Sequence, residues 1–160
     1  MNVIHAASKG SPSKAYSGET APGLSLTKMS EEAISQEFLP HLEGLARGDI
    51  QLPYCIDCQK FHWYPMPRCP HCQNREIHWK TVSGDAKLFS WTVVRHAFHP
   101  SLKDELPYIV ALVTFEDAPG VRLVTNLVGV APEDIRMGMS LRPVFDNSSQ
   151  ERPKVKFSPV

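Results

Sequence analysis

Apolar and polar residues alternate with a period of two through the second half of the chain, a pattern typical of β-strands with one buried face. Five runs of this kind are separated by turn signals, such as EDAPG at 116–120, and residues 132–138 can form one helical turn. This order predicts a mainly β protein whose residues 81–160 form a five-stranded OB-type Greek-key barrel. A β-sandwich is the alternative, and it normally needs about seven strands. The predicted strands are residues 88–96, 108–116, 121–129, 140–146 and 153–157.

A helical period precedes the strands. Phe38, Leu42 and Leu45 fall at i, i+4 and i+7, which places them on one face of a helix near residues 34–47. Gly48 is suited to end this helix. Pro40 either kinks the helix or begins a second short one in its first turn, and we favour two short helices within a helical segment at 30–49. Residues 1–29 are rich in small and polar residues, so they predict a flexible tail.

All four cysteines lie in the stretch YCIDCQKFHWYPMPRCPHC, as two C-x2-C pairs separated by ten residues. Four thiolates at this spacing predict a rubredoxin-like zinc ribbon over residues 50–80, with Zn²⁺ as a structural ion, because four cysteines leave no open position for a substrate. Rubredoxin-type iron uses similar ligands and stays an alternative. We expect the nearby His62 and His71 to be exposed. The predicted metal ligands are Cys55, Cys58, Cys69 and Cys72.

Charge narrows the choice of partners. The chain carries 17 basic and 17 acidic residues, and residues 81–160 hold nine of each. Nucleic acids and anionic membranes are recognised through an excess of Lys and Arg, so the balance disfavours both as partners. No apolar run reaches the roughly 18 residues of a membrane span, and the N-terminus lacks the apolar core of a secretory signal. We therefore expect a cytoplasmic protein, where clustered thiols bind metal more often than they form disulfides.

Aromatic residues are dense around the cysteines, and a small ribbon has little interior in which to bury them. Trp63, Tyr64 and Arg68 are therefore candidates for partner or ligand contact, the alternative being that helices of the same chain cover the aromatic residues. Under strict alternation Phe89 and Trp91 share one face of the first barrel strand, and Phe115 could join them as a stacking platform for nucleic-acid bases. The favoured alternative is that these three residues fill the barrel or contact a partner protein. The sequence contains no dinucleotide-binding, P-loop or G-x-S-x-G motif, which disfavours an independent enzyme.

These residues resemble a family of small bacterial and archaeal proteins that join a rubredoxin-like zinc ribbon to an OB-fold domain. Members of this family accompany thiolase-like enzymes and hotdog-fold hydratases of acyl-CoA metabolism. The likeness covers about residues 36–159, and the chain departs from the family pattern at Gln59 and Ala86, where glycine is usual. The matching segments are GDIQLPYCIDC (48–58), YPMPRCPHC (64–72), WKTVSGDAKLFSWTVV (79–94), PYIVALVTFED (107–117), RLVTNLVGVAPEDIRMGMSLRPVF (122–145) and KVKFSP (154–159).

The resemblance implies a non-catalytic auxiliary subunit. Its partner would be a thiolase-like enzyme (a thiolase, acyltransferase or aldolase) or a hotdog-fold hydratase, and an acyl-CoA contact is a further implied role. Within the matched barrel segments, the candidates for partner or ligand contact are Trp91, Thr92, Tyr108 and Asn126. The alternative function is a single-stranded nucleic-acid-binding OB-fold module.

Overall fold

The computed structural model describes residues 36–97, 99–148 and 153–160. The predicted tail at 1–29, and the first residues of the predicted helical segment, lie outside this part of the chain. In the described part a short 3-10 helix (Gln36–Phe38) leads directly into helix α1 (Leu39–Arg47). None of the described helices is long and apolar enough to cross a membrane.

Helix α1 begins and ends where proline and glycine favour it. Pro40 lies in the first turn, where its missing N–H is not needed. Gly48 ends the helix with φ of 85°, and the N–H groups of Gly48 and Asp49 bond to the carbonyls of Leu45 and Gly44. The buried face consists of His41, Gly44 and Leu45. It is therefore rotated from the predicted Phe38–Leu42–Leu45 face, of which Leu45 alone is fully buried.

Three antiparallel strands follow the helix and form the ribbon. Strand β1 (Ile50–Cys55) lies between β2 (Lys60–Phe61) and β3 (Ile77–Val82). The β1–β2 pairing is short, with Tyr54 opposite Phe61 and Cys55 opposite Lys60. Because β1 ends at the first cysteine, the sheet fixes one side of the cysteine cluster.

The second half of the described chain is a closed barrel of five strands. A 3-10 turn (Pro132–Asp134) precedes the fourth barrel strand, and the pairing of the third strand with the fifth is parallel. The predicted fold class, a zinc ribbon followed by a five-stranded OB-type barrel, is confirmed. The barrel strands are β4 (Ala86–Val94), β5 (Tyr108–Phe115), β6 (Leu123–Leu127), β7 (Ser140–Asp146) and β8 (Lys154–Pro159). Their order around the barrel is β4-β5-β6-β8-β7.

One hydrophobic core joins the helix, the ribbon and the barrel. Leu45 from α1 and Ile50 and Leu52 from β1 belong to the same buried cluster as the barrel residues Val113 and Phe157. At the surface of this junction, the Asn147 amide donates a hydrogen bond to the carbonyl of Ala46, at 3.3 Å. The ribbon therefore shares apolar packing with the barrel, and loss of one is expected to expose apolar surface of the other.

A β-bulge in β4 changes which side chains share a face. The pairing with β5 shifts between Leu88 and Ser90, so Phe89 is an extra residue without a partner opposite it. Leu88 is buried, Phe89 is exposed, and Trp91 is partly buried against the core. The prediction that Phe89 and Trp91 lie on one face is wrong, because one inserted residue reverses the alternation beyond it.

Candidate metal centre and partner surface

The four cysteine sulfurs form one compact cluster. All four Sγ atoms lie within 4.8 Å of one another, and the Cys55–Cys72 and Cys58–Cys69 separations are 3.5 and 3.6 Å. Zinc–sulfur bonds of about 2.3 Å in a tetrahedron place neighbouring sulfurs about 3.8 Å apart, whereas a disulfide needs about 2.05 Å. The donor set and spacing therefore fit a tetrahedral S4 metal ion, and no disulfide joins the four cysteines.

Two tight turns aim the sulfurs at a common point. Gln59 and Gln73, each the residue after the second cysteine of a pair, have left-handed φ values of 56° and 64°. Glycine adopts this conformation without steric cost, which explains why glycine is usual at the position of Gln59 in the family that the chain resembles. In the second turn the Gln73 N–H donates to the Cys69 carbonyl at 2.9 Å, and the His71 N–H donates to Cys69 Sγ at 3.4 Å.

Electrostatics around the sulfurs favours a bound cation. Burial raises the pKa of Cys69, but the backbone N–H groups of Cys72 and His71, together with the thiols of Cys58 and Cys72, outweigh it and lower that pKa to about 7. Burial, followed by the adjacent Cys69, raises the pKa of Cys58. Four thiolates this close repel one another, and a divalent ion removes the repulsion. The ion that fits would be held by all four cysteines and would supply structural cross-linking, with no open position for substrate.

Aromatic rings connect the helical segment to the ribbon beside this cluster. Trp63 lies against Phe38 and His41, with ring centroids 5.9 and 4.7 Å away, and stacks on Tyr64 at 5.4 Å. Trp63 is therefore half-buried by its own chain, whereas Tyr64 keeps 54% of its surface exposed. Arg68, directly before the second cysteine pair, is also exposed. Of the three ribbon candidates, Tyr64 and Arg68 have the accessibility that contact with another molecule requires.

Two of the four barrel candidates line one groove. Tyr108 and Asn126 lie in a groove of about 780 Å³ between the β4–β5 connection and the ends of β7 and β8. The Asn126 amide donates to the Ile109 carbonyl at 3.1 Å, so part of its polar capacity is used within the barrel. Thr92 is exposed and pairs with Val110 on the outer wall, and Trp91 packs against the core. The structure therefore does not gather the four side chains into a single site.

The described barrel surface does not provide the aromatic platform expected for the nucleic-acid alternative. Phe89 is exposed, but the Arg122 guanidinium lies over its ring at 4.1 Å and occupies one face. Phe115, which also belongs to this barrel wall, is buried in the core. With Trp91 turned inward by the bulge, Phe89 alone remains for stacking, and base stacking along a strand uses successive rings.

Comparison with known proteins agrees with this two-part architecture. The family model described as the rubredoxin-like zinc ribbon domain of ChsH2 matches residues 42–78, and the one for its C-terminal OB-fold domain matches residues 79–146. The DUF35 domain-containing scaffold protein of Pyrococcus furiosus is 36% identical over 101 residues, covering 59% of this chain and 71% of that protein. The chain belongs to the DUF35 family.

Two further similar proteins are named for enzymes. This DUF35 chain is 38% identical over 109 residues to a Thermomonospora curvata protein named "Probable enoyl-CoA hydratase alpha subunit". The match covers 67% of this chain but 32% of that protein, so the chain spans about a third of that relative's length. The solved structure of an "Ltp2-ChsH2(DUF35) aldolase" is 31% identical, with a TM-score of 0.70, and the match covers 79% of this chain and 97% of that one.

Two buried histidines of the DUF35 chain were not anticipated. His41 is buried in α1, where its Nδ1–H donates to the Gln51 carbonyl at 2.8 Å. His62 was expected to be exposed, but it is 4% exposed and its Nδ1 bonds to the Tyr64 carbonyl at 3.1 Å. The expectation for His62 is wrong, because the ring is buried and bonds to a backbone carbonyl of its own chain instead of facing solvent. The sequence signal for the burial of His41 was its position four residues before Leu45, which places both residues on one face of the helix.

Acid is expected to destabilise the DUF35 protein through His41. Burial lowers the pKa of His41 below 6.5, and the bond to Gln51 opposes this only in part. The unfolded chain therefore binds the proton more readily, so the free energy of unfolding should fall as the pH drops below about 6.5 and level off below the folded-state pKa. One proton limits the slope to about 1.4 kcal/mol per pH unit. Urea unfolding at several pH values measures it.

The control for this prediction is His41→Asn, which keeps a side-chain donor but does not titrate. Protonation of the cysteine ligands also destabilises the protein in acid, and it does so equally in both proteins. The difference between their pH profiles therefore isolates His41. Parallel profiles between pH 5 and 7.5 would contradict the prediction.

Proposed function

We propose that this DUF35 protein is a non-catalytic scaffold subunit of an acyl-CoA-processing enzyme. A thiolase-like enzyme, that is a thiolase, acyltransferase or aldolase, is the first choice of partner, and a hotdog-fold hydratase is the second. The names of the similar proteins support an enzyme complex as the setting, since they include scaffold proteins, an aldolase and a hydratase subunit. The observation that carries the proposal on this chain is an exposed apolar surface at the ribbon.

That surface, called here the ribbon patch, consists of Leu39, Tyr64 and Met66, supported by the half-buried Phe38 and Trp63. Leu39, Tyr64 and Met66 are 44%, 54% and 40% exposed. Phe38 contacts both Trp63 and Tyr64, at 5.9 and 6.2 Å between ring centroids, so the helical segment and the ribbon hold the patch together. Rigid aromatic side chains lose little entropy on binding, which makes them common energetic centres of protein interfaces.

The proposed cofactor is one structural Zn²⁺ bound by the four cysteines. The ion would fix the two cysteine turns on either side of the segment that carries Tyr64 and Met66. It would therefore stabilise the conformation of the ribbon patch. The same site supports a structural rather than a catalytic ion, because an ion with four sulfur ligands has no position for a substrate. Cysteines that form no disulfide suit a reducing compartment, so we infer a cytoplasmic protein.

The proposal also includes a contact between the barrel and the acyl-CoA. The groove that contains Tyr108 and Asn126 is also lined by Lys154, and its volume of about 780 Å³ is within the range of small-molecule sites, roughly 300–1,000 Å³. It is the feature of the barrel that we assign to such a contact. The Lys156–Asp146 ion pair at 2.9 Å closes one side of it.

The experiment that tests the proposed function is gentle affinity purification of the protein from its native cells, followed by mass spectrometry and metal analysis. We expect one thiolase-like or hydratase-like protein to co-elute in a fixed ratio, together with one zinc per chain. Recovery of the protein alone, or with RNA that nuclease removes, would contradict the scaffold role. Iron in place of zinc would contradict the cofactor assignment alone.

A further inference from the structure

The third strand of the ribbon sheet has one edge without a neighbouring strand. Strand β3 (Ile77–Val82) pairs with β1, and in the sheet order β2-β1-β3 no described strand lies on its other side. Five of its six residues are exposed or half-buried, so this edge is accessible. An open strand edge presents backbone N–H and C=O groups with which an extended segment of another chain can pair.

The pairing of β1 determines which backbone groups of β3 point to this free edge. The Pro53 carbonyl accepts a hydrogen bond from the His62 N–H at 3.1 Å, so the backbone of Pro53 is directed towards β2. Successive residues of a strand direct their backbone groups to opposite sides, so Leu52 directs its own towards β3. Its partner there is Lys80. The N–H and C=O groups of Lys80 are therefore used within the sheet.

Trp79 and Thr81, on either side of Lys80, consequently direct their N–H and C=O groups to the free edge. Ile77 follows the same alternation, because its N–H bonds to the Arg75 carbonyl at 3.1 Å instead of to β1. Among the described residues, none forms a backbone hydrogen bond with the outward groups of Trp79 and Thr81. The edge therefore offers two donors and two acceptors at the two-residue spacing on which a further strand pairs.

The side chains beside the free edge determine which strand would match it. Ile77 and Trp79 lie on one face of the sheet and line a small cavity together with Met66 of the ribbon patch. On the other face Lys80 is exposed, with its ammonium 3.3 Å from the centroid of the Tyr54 ring. A matching strand has apolar residues on the first face and an acidic residue on the second. The other lining residues of the cavity are Glu37, Pro53 and Pro65.

A second copy of this chain matches the edge poorly. Two β3 strands paired antiparallel about Trp79 would place Lys80 beside His78 of the second copy, which offers it no carboxylate. Pairing about Lys80 would place two lysines opposite each other, and like charges in that position destabilise a sheet. An exposed lysine on an edge strand is a common protection against self-association. In a different chain, an acidic residue opposite Lys80 would turn the repulsion into attraction.

We propose that β3 pairs along its free edge with an extended segment of the partner enzyme, which adds a fourth strand to the ribbon sheet. This inference rests on the proposed scaffold function and specifies how the ribbon recognises its partner. Trp79 and Thr81 exchange backbone hydrogen bonds with the segment, and Lys80 pairs with its carboxylate. In this mode of binding, backbone pairing contributes affinity, and side chains at alternate positions contribute specificity.

Hydrogen exchange of individual backbone amides tests this proposal, measured on the metal-loaded chain alone and in complex with the enzyme that co-purifies with it. In the chain alone, the amides of His78 and Lys80 should exchange slowly, because they bond to β1. Those of Trp79 and Thr81 should exchange fast. In the complex, exchange at Trp79 and Thr81 should slow by about tenfold or more, as formation of a hydrogen bond requires.

The outcomes separate failure of this inference from failure of the scaffold function. If a complex forms and Tyr64→Asp weakens it, but Trp79 and Thr81 stay unprotected, the edge does not pair and the scaffold function stands. If no enzyme co-purifies, both proposals fail. Protection of the two amides in the chain alone, increasing with protein concentration, would assign the edge to a second copy and overturn the proposal.

Thr81→Pro provides an independent measurement on the same edge. The Thr81 N–H points away from β1, so proline breaks no bond of the sheet but removes a donor from an incoming strand. Affinity for the partner should fall about tenfold or more, whereas Thr81→Ala, which keeps the N–H, should change it less than about threefold. Equal effects of the two variants would contradict backbone pairing. If Thr81→Pro loses its metal or its cooperative melting, the exchange result decides.

The charge of Lys80 is tested separately. Lys80→Glu should weaken partner binding more at low than at high ionic strength, as loss of an ion pair at an interface does. An effect that does not depend on salt would contradict the proposed pairing of Lys80 with a carboxylate.

Discussion

Replacing Cys69 with serine is expected to abolish stable metal binding and to unfold the ribbon. Cys69 is fully buried, and its sulfur lies 3.6 Å from that of Cys58. Apparent binding energies of structural zinc sites are on the order of 10–16 kcal/mol, and removing one ligand forfeits much of this. A loss of only about 4 kcal/mol would lower the melting temperature by roughly 10–15 °C for a chain of this size. Metal analysis and thermal unfolding measure the two effects.

The matched control for Cys69→Ser is His71→Ser, which changes an exposed residue in the same turn. It should retain one metal ion per chain and melt within about 2 °C of the parent protein, because His71 is not one of the four sulfur ligands. Addition of a chelator to the parent protein should reproduce the Cys69→Ser melting curve. If the Cys69→Ser protein kept its metal and its melting temperature, the result would contradict a structural role for the metal site.

Loss of the metal is expected to destabilise the barrel as well as the ribbon. Ile50 and Leu52 lie on the strand that ends at Cys55, and both are buried in the core shared with Val113 and Phe157 of the barrel. If the two cysteine turns lose their metal, β1 loses its fixed end and this apolar packing weakens. We therefore expect one cooperative transition in the metal-loaded protein, observed equally by ribbon and barrel signals.

The sequence predicts the parts of this structure that depend on local pattern. Alternation, together with enrichment in β-branched and aromatic residues, predicted all five barrel strands to within a few residues. The two C-x2-C pairs predicted a common sulfur cluster because tight turns of this kind have few possible geometries. Pro40 and Gly48 marked the start and the end of α1 through their own backbone constraints.

Features that depend on tertiary contacts could not be predicted in this way. The bulge at Phe89 inserts one residue in the pairing with β5, and the amino-acid pattern of β4 alone does not show it. His41 is buried because Gln51 accepts its hydrogen bond and Trp63 packs on its ring, and both contacts come from residues beyond the helix. The ribbon patch also needed the structure, since Phe38 covers Trp63 but leaves Tyr64 exposed.

Tyr64→Asp is expected to weaken binding of the partner enzyme by about 100-fold or more. The side chain is the most exposed aromatic residue of the ribbon patch, and a carboxylate there would be buried against apolar surface without a partner. Met66→Asp should act in the same direction. Tyr64→Phe, which keeps the ring, should change the affinity by less than about tenfold. Calorimetry with the purified partner measures the affinities, and thermal unfolding should show that each variant is folded.

Val124→Asp is the matched control for the predicted effect of Tyr64→Asp on partner binding. Val124 is also apolar and about half exposed, but it lies on the outer wall of the barrel in β6. If the ribbon patch is the docking surface, Val124→Asp should bind the partner as the parent protein does. The opposite result, with Val124→Asp inactive in binding and Tyr64→Asp unaffected, would move the partner to the barrel wall beside Phe89 and Arg122. The ribbon would then stabilise the fold without contributing the contact, because its exposed aromatic residue would remain in solvent within the complex.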